Sequence, residues 1–189
     1  MNKTEEAVWY AMRATYRREL LVKQTLDKQS IGNFIPMRYE IKTVKHRKTR
    51  QLVPVVHNLV FVYATASQLR KAKEEMPYLQ YIIDSRSKQK IIIPDVQMRS
   101  FIAISGTYDD QLLYFSPEEV DLAKGTKVRI IGGELDGQEG VFVKVKGARD
   151  KRVVIAIQGV IAVAIATVHP DLIEVIPEQS NIKRKSIFL

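Results

Sequence analysis

The sequence predicts an α+β protein: an N-terminal α/β sandwich with an antiparallel sheet, followed by a small five-stranded, SH3-like β-barrel. Two observations lead to this fold class. Residues 1–105 alternate helix-forming stretches with short apolar strands. Residues 124–177 contain only short β-branched runs separated by glycine-containing turns. Five strands in about fifty residues favour a closed barrel, because closure leaves no exposed sheet edge.

The N-terminal unit opens with an apolar and aromatic run at 8–14, which suits a strand. Residues 16–30 are rich in Arg, Glu, Leu, Lys and Gln, so a helix is expected there. From Phe34 to Lys45 apolar and polar residues alternate, which predicts a strand with one buried face. That face would carry Ile35, Met37, Tyr39 and Ile41. The next stretch predicts a solvated hairpin tip with five basic residues: Lys42, Lys45, Arg47, Lys48 and Arg50.

The remainder of this unit follows the same logic. The continuous apolar run at 59–64 predicts a central strand. Ser67 is expected to cap a second helix. Short strands at 81–84 and 90–93 precede a third helix that Pro94 opens. The resulting order, βαββαββα, predicts a sandwich of helices on an antiparallel sheet.

These elements divide the chain into four segments. Residues 1–105 form the sandwich, 106–123 an acidic linker with five acidic and no basic residues, 124–177 the barrel, and 178–189 a basic tail expected to be disordered. The five barrel strands are expected at 127–131, 140–146, 152–157, 160–166 and 172–176.

Charge is distributed unevenly along the chain. The whole sequence carries a formal net charge of +9, and residues 1–105 hold 19 basic against 9 acidic residues. This surplus favours a polyanion partner, because neutralising phosphates releases counterions. The more acidic linker and barrel are expected to rest on the basic first unit as an autoinhibitory contact, which salt would weaken.

Composition also excludes several classes of protein. There is no cysteine, which excludes disulfides, thiol nucleophiles and cysteine-ligated metals. The histidines lack the spacing of a zinc site, so no metal is expected. No apolar stretch is long enough for a transmembrane helix, and the polar N-terminus does not resemble a signal peptide, so a cytoplasmic protein is expected. Without a phosphate-binding loop or a nucleophile motif, neither enzymatic activity nor a cofactor is predicted.

Three segments of the first unit resemble a known family. Trp9-Tyr10, Phe34-Ile35-Pro36-Met37 and Leu59-Val60-Phe61-Val62 are similar, in this order, to the N-terminal domain of NusG-type transcription elongation and antitermination factors. In the second unit, Lys124 to Ile130 and Gly137 to Val141 resemble the KOW motif of the same family. The near-invariant glycine of that motif is matched by Gly140.

One departure from the family pattern points to a subgroup. Family members usually carry Pro-Gly-Tyr before the central strand, whereas His57, Asn58 and Leu59 stand here. The sequence most resembles specialised paralogues, the RfaH class and the UpxY-like antiterminators of capsule operons. This resemblance implies antitermination of a particular, polysaccharide-type operon.

The resemblance implies that the first unit binds the clamp helices of the RNA polymerase β′ subunit through an apolar depression. Closing the clamp would suppress pausing by shifting conformational populations rather than by chemistry. For Phe61 and Met12, burial in the core is the competing interpretation. The candidate contact residues are Tyr10, Met12, Leu59, Phe61 and Ile82.

The resemblance further implies a surface that faces non-template DNA, with nascent RNA as a further partner. A basic surface with an aromatic side chain suits single-stranded nucleic acid. The KOW unit, with Gly137 and Gly140 at its turn, would recruit ribosomal protein S10 or the termination factor Rho. The candidate nucleic-acid contacts are Arg13, Tyr16, Arg17, Arg18, Lys71 and Lys73.

Two alternatives remain open at this level. The first is a housekeeping NusG, which shares this fold and serves general elongation with Rho or ribosome coupling. Its genomic neighbours would differ from those of a specialised factor. A KOW barrel also occurs in ribosome- and RNA-binding proteins. Such a protein would not need the apolar groove of the first unit.

Overall fold

A computed structural model describes residues 5–44, 47–109, 111–116, 118–133, 135–145, 149–157, 159–165, 168 and 170–177. The predicted basic tail at 178–189 and Lys45 of the predicted hairpin tip lie outside the described residues. Within them the chain forms antiparallel sheets with few helices, which confirms the predicted α+β fold class.

The first unit is an antiparallel sheet flanked by helices. Its central strand β1 pairs with β5 on one side and with β6 and β7 on the other, and β2 pairs with β5. Its strands are β1 (Val8–Ala14), β2 (Gly32–Phe34), β3 (Met37–Val44), β4 (Arg47–Pro54), β5 (Leu59–Ala64), β6 (Leu79–Tyr81) and β7 (Ile92–Ile93). Its helices are α1 (Glu19–Lys28), α2 (Ala66–Glu75) and α3 (Asp95–Ser105). The predicted strand at 59–64 and the third helix after Pro94 are confirmed.

Side chains of the central strands alternate between two apolar layers, as a strand requires. On one face Met12 and Val62 pack beneath α1 and α2, with Leu26 and Leu69 fully buried there. On the other face Phe61 belongs to a second cluster with residues of α3. The sheet is therefore buried on both sides, which explains the continuous apolar run of β5.

The hairpin of β3 and β4 corrects one prediction. The alternation from Ile35 to Ile41 predicted a buried face, but Ile41 is 72% exposed and Tyr39 is 37% exposed. The start of this face is buried as predicted, since Ile35 is buried and Met37 packs against the cluster beneath α1 and α2, but the two strands pair only with each other in the described part of the chain and their far end is exposed. Tyr39 instead lies under the guanidinium of Arg50, 3.9 Å from its ring centroid, and 6.1 Å from the ring of Tyr108.

The start of α2 differs from the prediction in its cap. Thr65, not Ser67, is the N-cap residue: its hydroxyl accepts from the backbone N–H of Gln68, and the Gln68 side chain accepts from the N–H of Thr65. Ser67 instead donates through its N–H and hydroxyl to the carboxylate of Glu5, at 2.8 and 2.5 Å. This contact fastens the N-terminal segment to the first turn of α2.

The second unit is an antiparallel sheet with one strand more than predicted. The strands pair in the order β13-β9-β10-β11-β12-β8. The extra strand, β8, comes from the predicted acidic linker and pairs with β12. The six strands of this sheet are β8 (Leu113–Phe115), β9 (Thr126–Ile130), β10 (Glu139–Lys144), β11 (Lys151–Ile157), β12 (Ile161–Ala164) and β13 (Ile173–Val175).

Candidate polymerase and nucleic-acid interfaces

The five apolar side chains predicted to contact polymerase do not share one surface. Tyr10 and Met12 lie on the face of the first sheet that α1 and α2 cover. Leu59 and Phe61 lie on the opposite face, and the half-buried Ile82 packs against the same cluster as these two. Strand alternation separates the two groups. Only the second group is able to line a common apolar depression.

The face that carries Leu59 and Phe61 continues into the second unit. Phe61 contacts Phe101 of α3 edge to face, with 5.7 Å between ring centroids. The other side of α3 meets β11, where the Gln97 amide donates to the carbonyl oxygen of Ala156 at 2.6 Å. One buried cluster spans the first sheet, α3 and the second sheet. It includes Leu59, Phe61, Met98, Phe101, Ile104, Val153, Ile155, Ile157, Ile161 and Val163.

This arrangement corrects the expected basis of the contact between the units. The sequence predicted charge pairing between a basic first unit and an acidic second one. The structure instead joins them through aliphatic and aromatic side chains that are almost completely buried. The two units also approach each other at the β11–β12 turn, where a Cβ on Gly159 would stand 3.8 Å from Cδ1 of Ile91.

A cleft opens beside this contact, between β7 and the start of α3 on one side and β10 and β11 on the other. Its first-unit wall carries two apolar side chains that sequence reasoning missed, Ile92 and Val96, which are 53% and 67% exposed. Ile155 and Ile157 belong to the opposite wall. The available signal was the run Ile91-Ile92-Ile93 followed by Val96, which holds more apolar residues than the one buried face of a short strand needs.

The predicted nucleic-acid residues gather in part at the junction of β1 and α1. The Arg18 guanidinium lies 4.8 Å from the ring centroid of Tyr78 and 5.6 Å from that of Tyr16. Tyr16 is 82% exposed. Arg17 and Arg18 are exposed beside it. The result is an accessible aromatic ring with the guanidinium of Arg18 beside it and the exposed Arg17 next to it in the chain.

Left-handed backbone at three non-glycine residues shapes this junction. Tyr16, Arg17 and Asn58 have φ values of 61°, 54° and 66°. Asn58 holds the loop in place, because its side-chain oxygen accepts from the N–H of Arg17 at 2.8 Å and its carbonyl accepts from the N–H of Ala14 at 2.9 Å. Asparagine tolerates this conformation better than most residues, which explains how it stands where the resembling family has glycine.

A buried carboxylate supports the same junction. Glu19, the first residue of α1, is only 2% exposed, and its Oε1 lies 3.3 Å from Nδ1 of His57. Its Oε2 is buried without a hydrogen-bond partner in the described part of the chain. His57 thus contacts Glu19, and Asn58 contacts Arg17. The loop before β5 and the segment at the start of α1 therefore stabilise each other.

The other predicted basic residues are placed differently. Arg13 is exposed on β1, where it pairs with Leu59 and therefore lies on the α3 side of the sheet. Lys71 is exposed on α2. Lys73 lies over Tyr81, with 4.3 Å between its Nζ and the ring centroid. The six candidates therefore do not form a single patch.

A second cation on Tyr81 was not predicted. Nζ of Lys90 lies 4.0 Å from the same ring centroid, and Arg70 lines the adjoining pocket. Burial raises the pKa of the Tyr81 hydroxyl, so this ring remains neutral at physiological pH. Lys90 was missed because a polar turn separates it from Tyr81 in the sequence, and the pairing of Ile83 with Lys90 is what brings it to the ring.

Each of the two glycines of the predicted KOW motif is favoured at its position for a different structural reason. Gly137 has a φ of +77°, which favours glycine. A Cβ on Gly140 would stand 2.8 Å from both Cγ1 of Val153 and the carbonyl oxygen of Val154. Gly140 thus permits close approach of β10 and β11.

The described residues contain no group of acidic or histidine side chains arranged to hold a metal ion. None of their helices combines the length and the apolar character that crossing a membrane requires.

A β-rich unit joined to an α/β sandwich that bears apolar and basic surfaces defines a protein that associates with macromolecules. Residues 7–102, just over half of the chain, match the family model described as transcription termination factor NusG. The chain belongs to the NusG family, a family of transcription factors, and its general class is that of a transcription elongation factor that binds RNA polymerase.

Two further comparisons complete this result. A solved structure titled "Domain interaction in Thermotoga maritima NusG" is similar at 21% sequence identity and a TM-score of 0.45, and covers 91% of this chain and 98% of that one. No curated protein matches the chain.

Proposed function

We propose that this chain is a specialised NusG-family factor of the RfaH and UpxY kind. It binds the β′ clamp helices of RNA polymerase and promotes processive elongation through a particular, polysaccharide-type operon. The observation that carries the polymerase contact is the apolar cluster on the face of Leu59 and Phe61, which runs on past α3 to the cleft beside Ile92. Apolar grooves of this kind accept helical partners through a few large anchors.

The second unit and polymerase compete for this region. Ile155 and Ile157 of β11 pack in the same cluster on the side of α3 that faces away from Phe61, so the second unit covers α3 and forms one wall of the cleft beside Ile92. The clamp helices therefore bind the population in which the second unit has moved away. Because the covering contact is apolar, the energetic barrier to opening is hydrophobic burial rather than charge pairing.

Nucleic acid is the second partner in this proposal. The exposed ring of Tyr16 and the guanidinium of Arg18 supply stacking and backbone attraction for the non-template strand. Asn58 fixes the loop that presents them. A rigid loop favours recognition of a particular element over general binding, which supports the specialised role.

The second unit offers a separate surface for a protein partner such as ribosomal protein S10 or Rho. Ile131 and Leu172 are 46% and 39% exposed and belong to segments joined by a hydrogen bond from the N–H of Ile131 to the carbonyl of Leu172. Val175 on the neighbouring strand is 60% exposed. This patch lies outside the cluster shared with α3.

Cross-linking tests the polymerase contact. Because the chain contains no cysteine, Ile91→Cys with Gly159→Cys gives one defined pair across the two units that a short, cleavable thiol cross-linker is able to close. The cross-linked full chain is expected to lose binding to core RNA polymerase, and cleavage of the linker is expected to restore it. Single-cysteine variants treated with the same reagent are the controls.

Two outcomes contradict different parts of this proposal. Equal binding before and after cleavage places the docking surface elsewhere. Absence of binding by the untreated full chain contradicts the polymerase contact itself. Transcription on a polysaccharide-operon leader and on an unrelated leader then separates the specialised role, which favours the first template, from the housekeeping role, which favours neither.

A further inference from the structure

A small pocket between α2 and the end of β6 gathers three cationic side chains. Arg70 and Lys73 lie one turn apart on α2, and Lys90 comes from the segment before β7. Tyr81 and Ala66 complete its lining. Separate segments of the first unit therefore bring their charges to one place.

The ring of Tyr81 organises these charges. It carries the ammonium groups of Lys73 and Lys90 at 4.3 and 4.0 Å from its centroid. The ring itself is fixed, since Tyr81 pairs with Met12 in the sheet and contacts the ring of Tyr10 edge to face at 5.7 Å. The cations are thus held against a rigid platform by attraction to its π face.

Acidic compensation is weak at this pocket. Within the described residues, no carboxylate lies within ion-pair distance of Arg70, Lys73 or Lys90. Glu5 acts on Arg70 only at longer range and accepts its hydrogen bonds from Ser67. Three like charges held together with no carboxylate in direct contact favour an anionic ligand.

We propose that this pocket binds a backbone phosphate of single-stranded nucleic acid, an inference that rests on the nucleic-acid contact proposed above and extends it. The tetrahedral oxygens of a phosphate accept donors from several directions, and Arg70 offers a planar fork for them. Tyr78, beside Arg18, and Tyr81 lie three residues apart, or about 10 Å along an extended strand. One nucleic-acid strand is therefore able to contact both the stacking ring of Tyr16 and the phosphate pocket.

The test measures binding of the full chain to a fluorescent twelve-nucleotide oligothymidylate over a range of salt concentrations. Lys90→Ala and Arg70→Ala are each expected to weaken binding about fivefold near 0.1 M salt. Each is also expected to reduce the slope of log K against log salt by about 0.7, the value for one phosphate contact on a single strand. Lys28→Ala removes one charge from the exposed end of α1 and is expected to change neither quantity.

Tyr81 provides a further variant. Tyr81→Phe keeps the ring that positions the ammonium groups, whereas Tyr81→Leu removes it, so only the leucine variant is expected to reduce the salt slope. Circular dichroism confirms that each variant is folded.

Two results would overturn the inference. Salt slopes of Lys90→Ala and Arg70→Ala equal to that of the unmodified chain exclude a phosphate contact. Loss of affinity for an octaglutamate peptide, with oligothymidylate binding unchanged, assigns the pocket to an acidic protein instead. Polymerase is absent from this assay, so its result is independent of the cross-linking experiment.

Discussion

Asn58 accepts a hydrogen bond from the backbone N–H of Arg17, with 2.8 Å between its Oδ1 and that nitrogen. Both residues have left-handed backbone, which is costly for non-glycine residues. The side chain of one loop thus stabilises an unfavourable conformation in the other. The exposed Tyr16 next to Arg17 owes its position to this contact.

Substitution of Asn58 separates backbone conformation from side-chain bonding. Asn58→Gly keeps the left-handed conformation but loses the hydrogen bond, so we expect the free energy of unfolding to fall by about 0.5–1.5 kcal/mol. Asn58→Ala loses both and is expected to cost roughly 1 kcal/mol more. Urea unfolding of both variants measures the difference. Equal stability of the two would mean that φ at residue 58 carries no strain.

The contact between Glu19 and His57 yields a second prediction. Since Glu19 is buried and one of its oxygens lacks a partner, His57→Ala leaves the carboxylate more isolated and is expected to cost about 1–3 kcal/mol. Glu19→Gln removes the buried charge, so His57→Ala is expected to cost less in that background. A double-mutant cycle by urea unfolding gives the coupling. A coupling of zero would show that the two side chains do not interact in solution.

The sequence was sufficient for elements whose signals are local. Pro94 marked the start of α3, and the β-branched run at 59–64 marked β5. It was insufficient where pairing between distant segments decides the outcome. The register of β1 against β5 sets Tyr10 and Leu59 on opposite faces, and the pairing of Ile83 with Lys90 brings Lys90 to the ring of Tyr81 that Lys73 also contacts. The burial of Ile41 was predicted wrongly because alternation reports an apolar face without showing whether another layer covers it.

The two glycines of the KOW motif are expected to respond differently to alanine. A methyl group at residue 140 meets a valine side chain and a backbone oxygen, so we expect Gly140→Ala to cost about 1–3 kcal/mol through overpacking. Gly137 has no atom within 4 Å of the position of a Cβ, so a methyl group there meets no steric conflict. Gly137→Ala is expected to lower the free energy of unfolding by about 1 kcal/mol, only because alanine disfavours the left-handed backbone at this residue. Urea unfolding of the full chain measures both. A larger loss at residue 137 would contradict the packing explanation.

Acid is expected to release the N-terminal segment. Hydrogen bonds from Ser67 lower the pKa of Glu5 below its usual 4.5, so the folded chain binds fewer protons there than the unfolded chain. The stabilisation is therefore complete above this usual value and is lost as pH falls through the lower folded value. Urea midpoints measured from neutral pH downward are expected to fall less steeply in Glu5→Gln. Identical pH profiles would show that the contact does not persist in solution.

The salt response of the contact between the units follows from the character of the surface that joins them. Because α3 and β11 meet through Phe101, Ile155 and Ile157, hydrophobic burial holds them together, and moderate salt does not screen it. The cross-linking yield of Ile91→Cys with Gly159→Cys is therefore expected to be unchanged between about 0.05 and 1 M sodium chloride, conditions over which screening lengths shrink several-fold. Ile157→Ala removes buried apolar surface at the contact and is expected to lower the yield at every salt concentration. If the yield of the cysteine pair with Ile157 intact falls steeply with salt, charge pairing and not the apolar cluster holds the second unit against α3.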